Sequence, residues 1–134
     1  MLVAITLATA ANAQSLDVEV HGVDGGGKVG CALYVGEDGF PDDDAKAALA
    51  VEVAASTSKD GVAVCRFEKV PAARIAVAVR HDLDGDGKLD TNLLGIPKEP
   101  YGFSNNAPLR TFGPPRFEDA RVARAPRIRV DLRR

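Results

Sequence analysis

An all-β fold, an antiparallel sandwich of six or seven short strands with one short helix, is predicted by three observations on this sequence. Apolar and polar residues alternate in short runs, the period of strands buried on one face. Turn signals rich in Gly, Asp and Pro separate those runs, and almost nothing between them has a helical period. The apolar residues are also of strand-forming kinds: hydrophobic content is 46%, yet aromatics make up 5% and tryptophan is absent, so Val, Ala, Leu and Ile must fill the core. β-branched valine has a stiff χ1 that suits a pleated surface and costs entropy in a helix. With 134 residues there is enough chain for one core and too little for two.

The chain opens with MLVAITLATAANA, an apolar run ending in Ala11-Asn12-Ala13, the small-x-small pattern that a signal peptidase cuts. Residues 1–13 therefore read as a signal peptide and 14–134 as a single β-sandwich domain, exported to the periplasm or beyond the cell, although no Lys or Arg precedes the apolar run. The run is too short for a membrane span of roughly 20 residues, and no other segment approaches that length, so the chain is not membrane-spanning.

From Leu16, strict alternation sets Leu16, Val18 and Val20 on one face and Asp17, Glu19 and His21 on the other. Asp24-Gly25-Gly26-Gly27 breaks the chain, and Lys28–Val35 resumes with Val29, Cys31, Leu33 and Val35 on one face, so the two runs read as a hairpin. The three glycines lack the Gly-x-x-x-x-Gly-Lys spacing of a phosphate loop and read as a flexible turn. Asp42 or Asp43 can cap a short helix through Leu49, with acids at the positive end of its dipole. Ala50–Thr57 reads as a strand, Ser58-Lys59-Asp60-Gly61 as a tight turn, and Val62–Phe67 as the returning strand with Ala63, Cys65 and Phe67 facing the core. Arg74–Arg80 turns Ile75, Val77 and Val79 inward. A turn of helix follows around Phe117–Arg121, and a last strand runs from Arg127 to Leu132.

Charge excludes one class of partner. Residues 110–134 carry a local charge of +5 and the remainder −7, but Arg127, Arg129 and Arg133 alternate with Ile128, Val130 and Leu132, the pattern of a solvated strand face. No aromatics interleave to stack bases, so no nucleic acid is expected. Cys31 and Cys65 each fall in a strand on the core register, and an exported chain meets oxidising conditions, so a disulfide is the natural inference. Closing a loop of about 35 residues is worth roughly 3–4 kcal/mol in chain entropy. Two free buried thiols are the alternative. Zinc is not indicated, because its sites take four ligands with a close-spaced pair among them.

The most specialised stretch is HDLDGDGKLDTNLLGIPKEPYGFSNN, from His81 to Asn106. Asp82, Asp84 and Asp86 stand at the first, third and fifth positions of a calcium loop, Gly87 at the sixth where the chain must turn sharply, Lys88 at the seventh where a carbonyl serves, and Asp90 at the ninth. Four carboxylates this close repel one another strongly, and a hard divalent cation resolves that conflict. The pattern departs from an EF-hand at position twelve, where Leu93 replaces the bidentate glutamate, and a strand rather than a helix precedes it. Glu99, Asn92 or a downstream carbonyl is then the missing ligand. A solvated Asp/Gly turn is the plainer alternative. The second half, Gly95–Asn106, presents Tyr101, Phe103, Ser104, Asn105 and Asn106, the mixture found where ligands are gripped. Its plainer reading is a flap with both aromatics packed inward and the asparagines satisfying turns. His81, Asp82 and Ser104 include the residue types of a hydrolytic triad, but Ser104 lies in no nucleophile elbow and adjacent strand residues point to opposite faces.

The whole stretch resembles the signature of a bacterial family of exported domains of unknown function, H-D-x-[DN]-x-[DN]-G-K-x-D-x-N-x-x-G-x-P-x-E-x-x-G-[FW]-S-N-N. The resemblance runs from Leu16 onward and includes Gly30 and Phe67 through Val79. Pro71-Ala72-Ala73-Arg74-Ile75 stands where the family has Pro-x-Gly-x-Tyr. The family is similar to the immunoglobulin-like sandwiches of the transthyretin-like and carboxypeptidase-regulatory-like type, which implies a fold and no activity. The sequence thus predicts a non-enzymatic exported domain, stabilised by calcium, that binds another envelope protein or a glycan through its loop. The competing readings are a hydrolase or metal-dependent enzyme using His81 and the acidic cluster, and a domain that only oligomerises.

Overall fold

The computed structural model describes residues 15–83 and 99–134. The predicted leader, and Asp84, Asp86, Lys88, Asp90 and Asn92 of the acidic loop, lie outside the described residues. Among the described residues there are eight strands, β1 (Leu16–His21), β2 (Lys28–Tyr34), β3 (Leu49–Ala54), β4 (Val62–Phe67), β5 (Arg74–Asp82), β6 (Tyr101–Phe103), β7 (Val122–Ala123) and β8 (Arg127–Asp131), and one short α-helix, α1 (Phe117–Ala120). They form two sheets, β4-β1-β8 and β3-β2-β5-β6, with β7 paired to β5 in the larger one. The predicted all-β sandwich is therefore the fold.

Period-two burial holds in β1, where Leu16, Val18 and Val20 are buried, and in β4, where Ala63, Cys65 and Phe67 are buried. These side chains meet Val29, Cys31 and Leu33 of β2 and Ile75, Val77 and Val79 of β5 in one apolar layer between the sheets. Cys31 and Cys65 stand at disulfide distance across that layer, with Cα atoms 6.5 Å apart, and so tie β2 of one sheet to β4 of the other.

Pairing differs from the sequence expectation in ways that share one cause. The β1–β2 connection is not a hairpin: β1 pairs with β4 and β8, while β2 pairs with β3 and β5. The β3–β4 connection likewise crosses between sheets. Both turns are arches over the core, because inward-facing apolar residues on consecutive strands can face each other across a sandwich as well as lie side by side in one sheet. β8 runs parallel to β1, so the sandwich is not wholly antiparallel. The predicted helix before Leu49 reduces to a 3-10 turn, Asp44–Lys46, with the Asp43 carboxylate accepting from Ala45 N at 3.2 Å. The strand expected over Ala50–Thr57 is β3 followed by a 3-10 turn, Ala55–Thr57. β2 ends at Tyr34, leaving Val35 exposed.

The larger sheet is covered on its outer face as well. Ala32, Tyr34 and Ala76 pack there beneath Tyr101, Phe103, Ala107, Phe117 and Ala120, with Phe40 and Ala78 alongside. Phe40 is the hub: its ring centroid lies 5.3 Å from Tyr34, 6.2 Å from Phe103 and 6.1 Å from Phe117. Burial, then the negative charges of Asp44, Asp42 and Asp43, pushes the Tyr34 phenol up to about 12, with Arg80 opposing. The far edge of this layer is joined to the small sheet. Tyr101 and Arg133 exchange backbone hydrogen bonds of 3.0 and 2.7 Å, and a side chain at Gly102 would strike Val130 and the Asp131 carbonyl, so only glycine lets β8 approach this closely.

Candidate functional site

β5 is the platform of the site, as its alternation implied. Ile75, Val77, Val79 and then His81 descend its inner face, and Asp82 is its last residue, where the chain leaves for the acidic loop. His81 is fully buried and Asp82 nearly so. His81 Nε2 donates to the Gly26 carbonyl at 2.7 Å, since a carbonyl can only accept, and Nδ1 has no hydrogen-bond partner among the described residues.

The chain returns from the loop at Glu99, whose carboxylate is also buried. Its Oε2 accepts from Leu83 N at 2.6 Å, a short charge-assisted bond, and the Pro100 carbonyl accepts from His81 N at 2.8 Å. The two ends of the loop are thus stitched together at its neck. Of the predicted metal ligands, the structure places Asp82 and Glu99 together at this neck; Asp84, Asp86, Lys88 and Asp90 fall outside the described residues.

The flap that follows is built into the fold. Tyr101 and Phe103 form β6 and are buried in the aromatic layer, their centroids 5.9 Å apart. Ser104 has no exposed surface; its Oγ accepts from Val77 N at 2.8 Å and donates to the Ala120 carbonyl. These three side chains, named from the sequence as ligand-binding, are turned away from solvent and pack in the manner of the plainer reading. Asn105 and Asn106 are exposed and adopt φ of 59° and 45°, left-handed backbone that asparagine tolerates better than most residues. Their amides hold the flap in place: Asn105 Nδ2 donates to the Asp119 carbonyl at 3.0 Å, and Asn106 Oδ1 accepts from Asp131 N at 3.1 Å. Ser104 and His81 bond to different backbone groups and not to each other, so the described residues do not assemble a serine–histidine pair.

Sequence reasoning missed the glycine turn. Gly27 lies against the Asp82 carbonyl so closely that any side chain there would collide with it, and Gly25 lies beside the Leu83 side chain. The only local signal was three consecutive glycines, and their target is set by the distant pairing of Lys28 with Asp82.

Fold and site together define a small β-sandwich that carries an acid-rich loop at the end of its doubly covered sheet. Residues 18–128 match DUF2141, an uncharacterized protein conserved in bacteria, and the chain belongs to that family. No curated protein and no solved structure matches the chain. Among the described residues no helix is long and apolar enough to cross a membrane.

Proposed function

We propose that this chain is an exported, non-enzymatic β-sandwich domain whose β5–β6 loop takes up calcium, and that the cation-fixed loop is the surface offered to another envelope protein or a glycan. The observation that carries the reading is the placement of Glu99. The acid that the sequence offers in place of a twelfth-position glutamate is folded back to the neck of the loop, beside the residue after Asp82. Asp82, Asp84, Asp86 and Asp90, the Lys88 carbonyl and Glu99 form an all-oxygen donor set, the chemistry that suits a hard cation. Calcium, when bound, would neutralise the crowded carboxylates; the chain's own part at the described neck is to hold Glu99 against Leu83. The role is structural. The cysteine pair at disulfide distance and the A-x-A end of the opening run support export into an oxidising compartment.

The test is a calcium titration of the purified protein followed by calorimetry and thermal melting. Calcium at about 100 times its dissociation constant is expected to stabilise the fold by about 2.7 kcal/mol. Asp84→Ala with Asp86→Ala should remove the effect, and Glu99→Gln should weaken it while keeping an acceptor for Leu83 N. An unchanged melting temperature at millimolar calcium overturns the proposal. The export reading is checked by mass spectrometry of protein secreted by a bacterial host, which should begin at Gln14; an intact Met1 terminus rejects it.

A further inference from the structure

The two rims of the sandwich are finished differently. On one, β6 and β8 are tied together by the backbone bonds that Tyr101 and Arg133 exchange. On the other, β3 ends the larger sheet and β4 the smaller, and no described strand lies beyond either. The ladder to β2 fixes which groups of β3 face outward. Ala55 N donates to the Gly27 carbonyl at 3.0 Å, so in the register that sets Val53 opposite Val29 and Val51 opposite Cys31 these two valines direct their N–H and C=O groups to β2. Ala50, Glu52 and Ala54 turn theirs to the open side. The Ala54 carbonyl accepts from Thr57 Oγ1 at 2.6 Å, whereas the backbone groups of Ala50 and Glu52 have no partner among the described residues. β3 contains neither proline nor lysine, the residues that discourage a further strand at an edge. Leu49, Val51 and Val53 are only partly buried against the core, so a strand added here covers apolar surface as well as pairing backbone.

We infer that this edge is taken by a second copy of the same chain, β3 pairing antiparallel with β3 of the other copy about a two-fold axis at Val51. The strand is complementary to itself in that register. Ala50 exchanges both backbone bonds with Glu52 of the second copy, and Glu52 with its Ala50, while Val51 faces Val51 and Leu49 faces Val53. A shift that centres the pair on Glu52 sets two carboxylates directly opposite each other and calls on the Ala54 carbonyl that Thr57 already holds. A shift that centres it on Ala50 leaves Val53 without an opposite residue in β3. A slip of one residue sets outward-facing groups against inward-facing ones. The contact is isologous and closes on itself, so it yields a dimer and leaves no open β3 edge. It involves neither the acidic loop nor calcium.

Sedimentation equilibrium of the purified protein without metal, over a concentration series, should show the mass rising toward that of two chains. Ala50 is exposed and borders an open hollow lined by Asp44, Glu52 and Arg80, so a longer side chain has room there in the monomer. Ala50→Asp sets a carboxylate against each Glu52 and is expected to weaken the dimer on the order of tenfold, whereas Ala50→Lys, with the opposite charge, should tighten it. An oxidised mixture of Ala50→Cys and Glu52→Cys should give linked pairs that neither variant gives alone, because directly opposed residues come within disulfide reach and residues two positions apart do not. Circular dichroism checks that each variant folds; if Ala50→Asp does not, the lysine and cysteine variants decide. A wild type that stays monomeric at every concentration overturns the inference and leaves the edge to an extended segment of another protein. A dimer that Ala50→Asp and Ala50→Lys shift equally, or linked pairs from one cysteine variant alone, puts the contact elsewhere and overturns it as well.

Discussion

The two sheets share one core but meet their surroundings differently. Along the outer face of β4-β1-β8 the registers carry charge: Arg66 pairs with Asp17 at 2.9 Å, Arg127 with Glu19 at 3.1 Å, and Arg129 with Asp131 at 2.7 Å. The equivalent registers of β2 and β5 carry Ala32, Ala76 and Ala78, small residues over which the segment 101–120 lies down. Aromatic residues follow the same division. Of the seven Phe and Tyr residues, Tyr34, Phe40, Tyr101, Phe103 and Phe117 gather on the covered face, and Phe67 lies between the sheets. The prediction that aliphatic residues fill the core therefore holds for the layer between the sheets and fails for the second layer. A sheet face rich in alanine is a seat for another segment, and here that seat anchors the flap that follows the acidic loop.

The sharpest way to break this comparison is to change the charge on each outer face in turn. Ala76→Asp buries an unpaired carboxylate in the aromatic layer and is expected to cost about 3–5 kcal/mol in urea denaturation. Its counterpart on the small sheet, Glu19→Gln, should stay within about 0.5 kcal/mol of wild type, because exposed ion pairs contribute little. Equal effects would mean that the two faces are energetically alike. A smaller change tests how the flap is held: Ser104→Ala leaves the buried Val77 N–H without its acceptor and should cost about 1–3 kcal/mol, read as a shift in denaturation midpoint with an unchanged slope. Tyr34 gives the finest probe. Burial pushes its phenol up from 10.0 to about 12, so folding favours the protonated form. That contribution is fully present below pH 10 and is lost as pH rises from 10 through about 12. Tyr34→Phe should flatten this part of the stability profile. At neutral pH it should leave the melting temperature unchanged or raised, since the Tyr34 hydroxyl has no hydrogen-bond partner among the described residues. A profile that keeps its alkaline fall in Tyr34→Phe would place the responsible group elsewhere.

What was legible around the candidate site was local, and most of the predicted ligands fall outside the described residues. The aspartate spacing, the strand leading into it and the candidacy of Glu99 were all read from neighbouring residues, and the structure sets Glu99 at the loop's neck. The flap was legible only as a choice between display and packing. Left-handed backbone at Asn105 and Asn106 and the buried hydroxyl of Ser104 are the features that favour packing. Phe117 and Phe40 could not be assigned to the flap's cluster from the sequence, because no periodicity links them to Tyr34.

What the sequence determined by itself is which side of each strand faces inward: alternation is a property of the backbone's period of two, and it placed Val18, Cys65, Val77 and Val79 correctly in β1, β4 and β5. What only the tertiary structure decided is which strands become neighbours. Two turns with hairpin signals became arches, β8 joined β1 in parallel, and the glycine turn came to rest on Asp82. The physical reason is that a turn fixes the direction of the next strand within a few residues, whereas pairing is settled by burial and hydrogen bonding summed over segments 40 or more residues apart, as between Lys28 and Asp82.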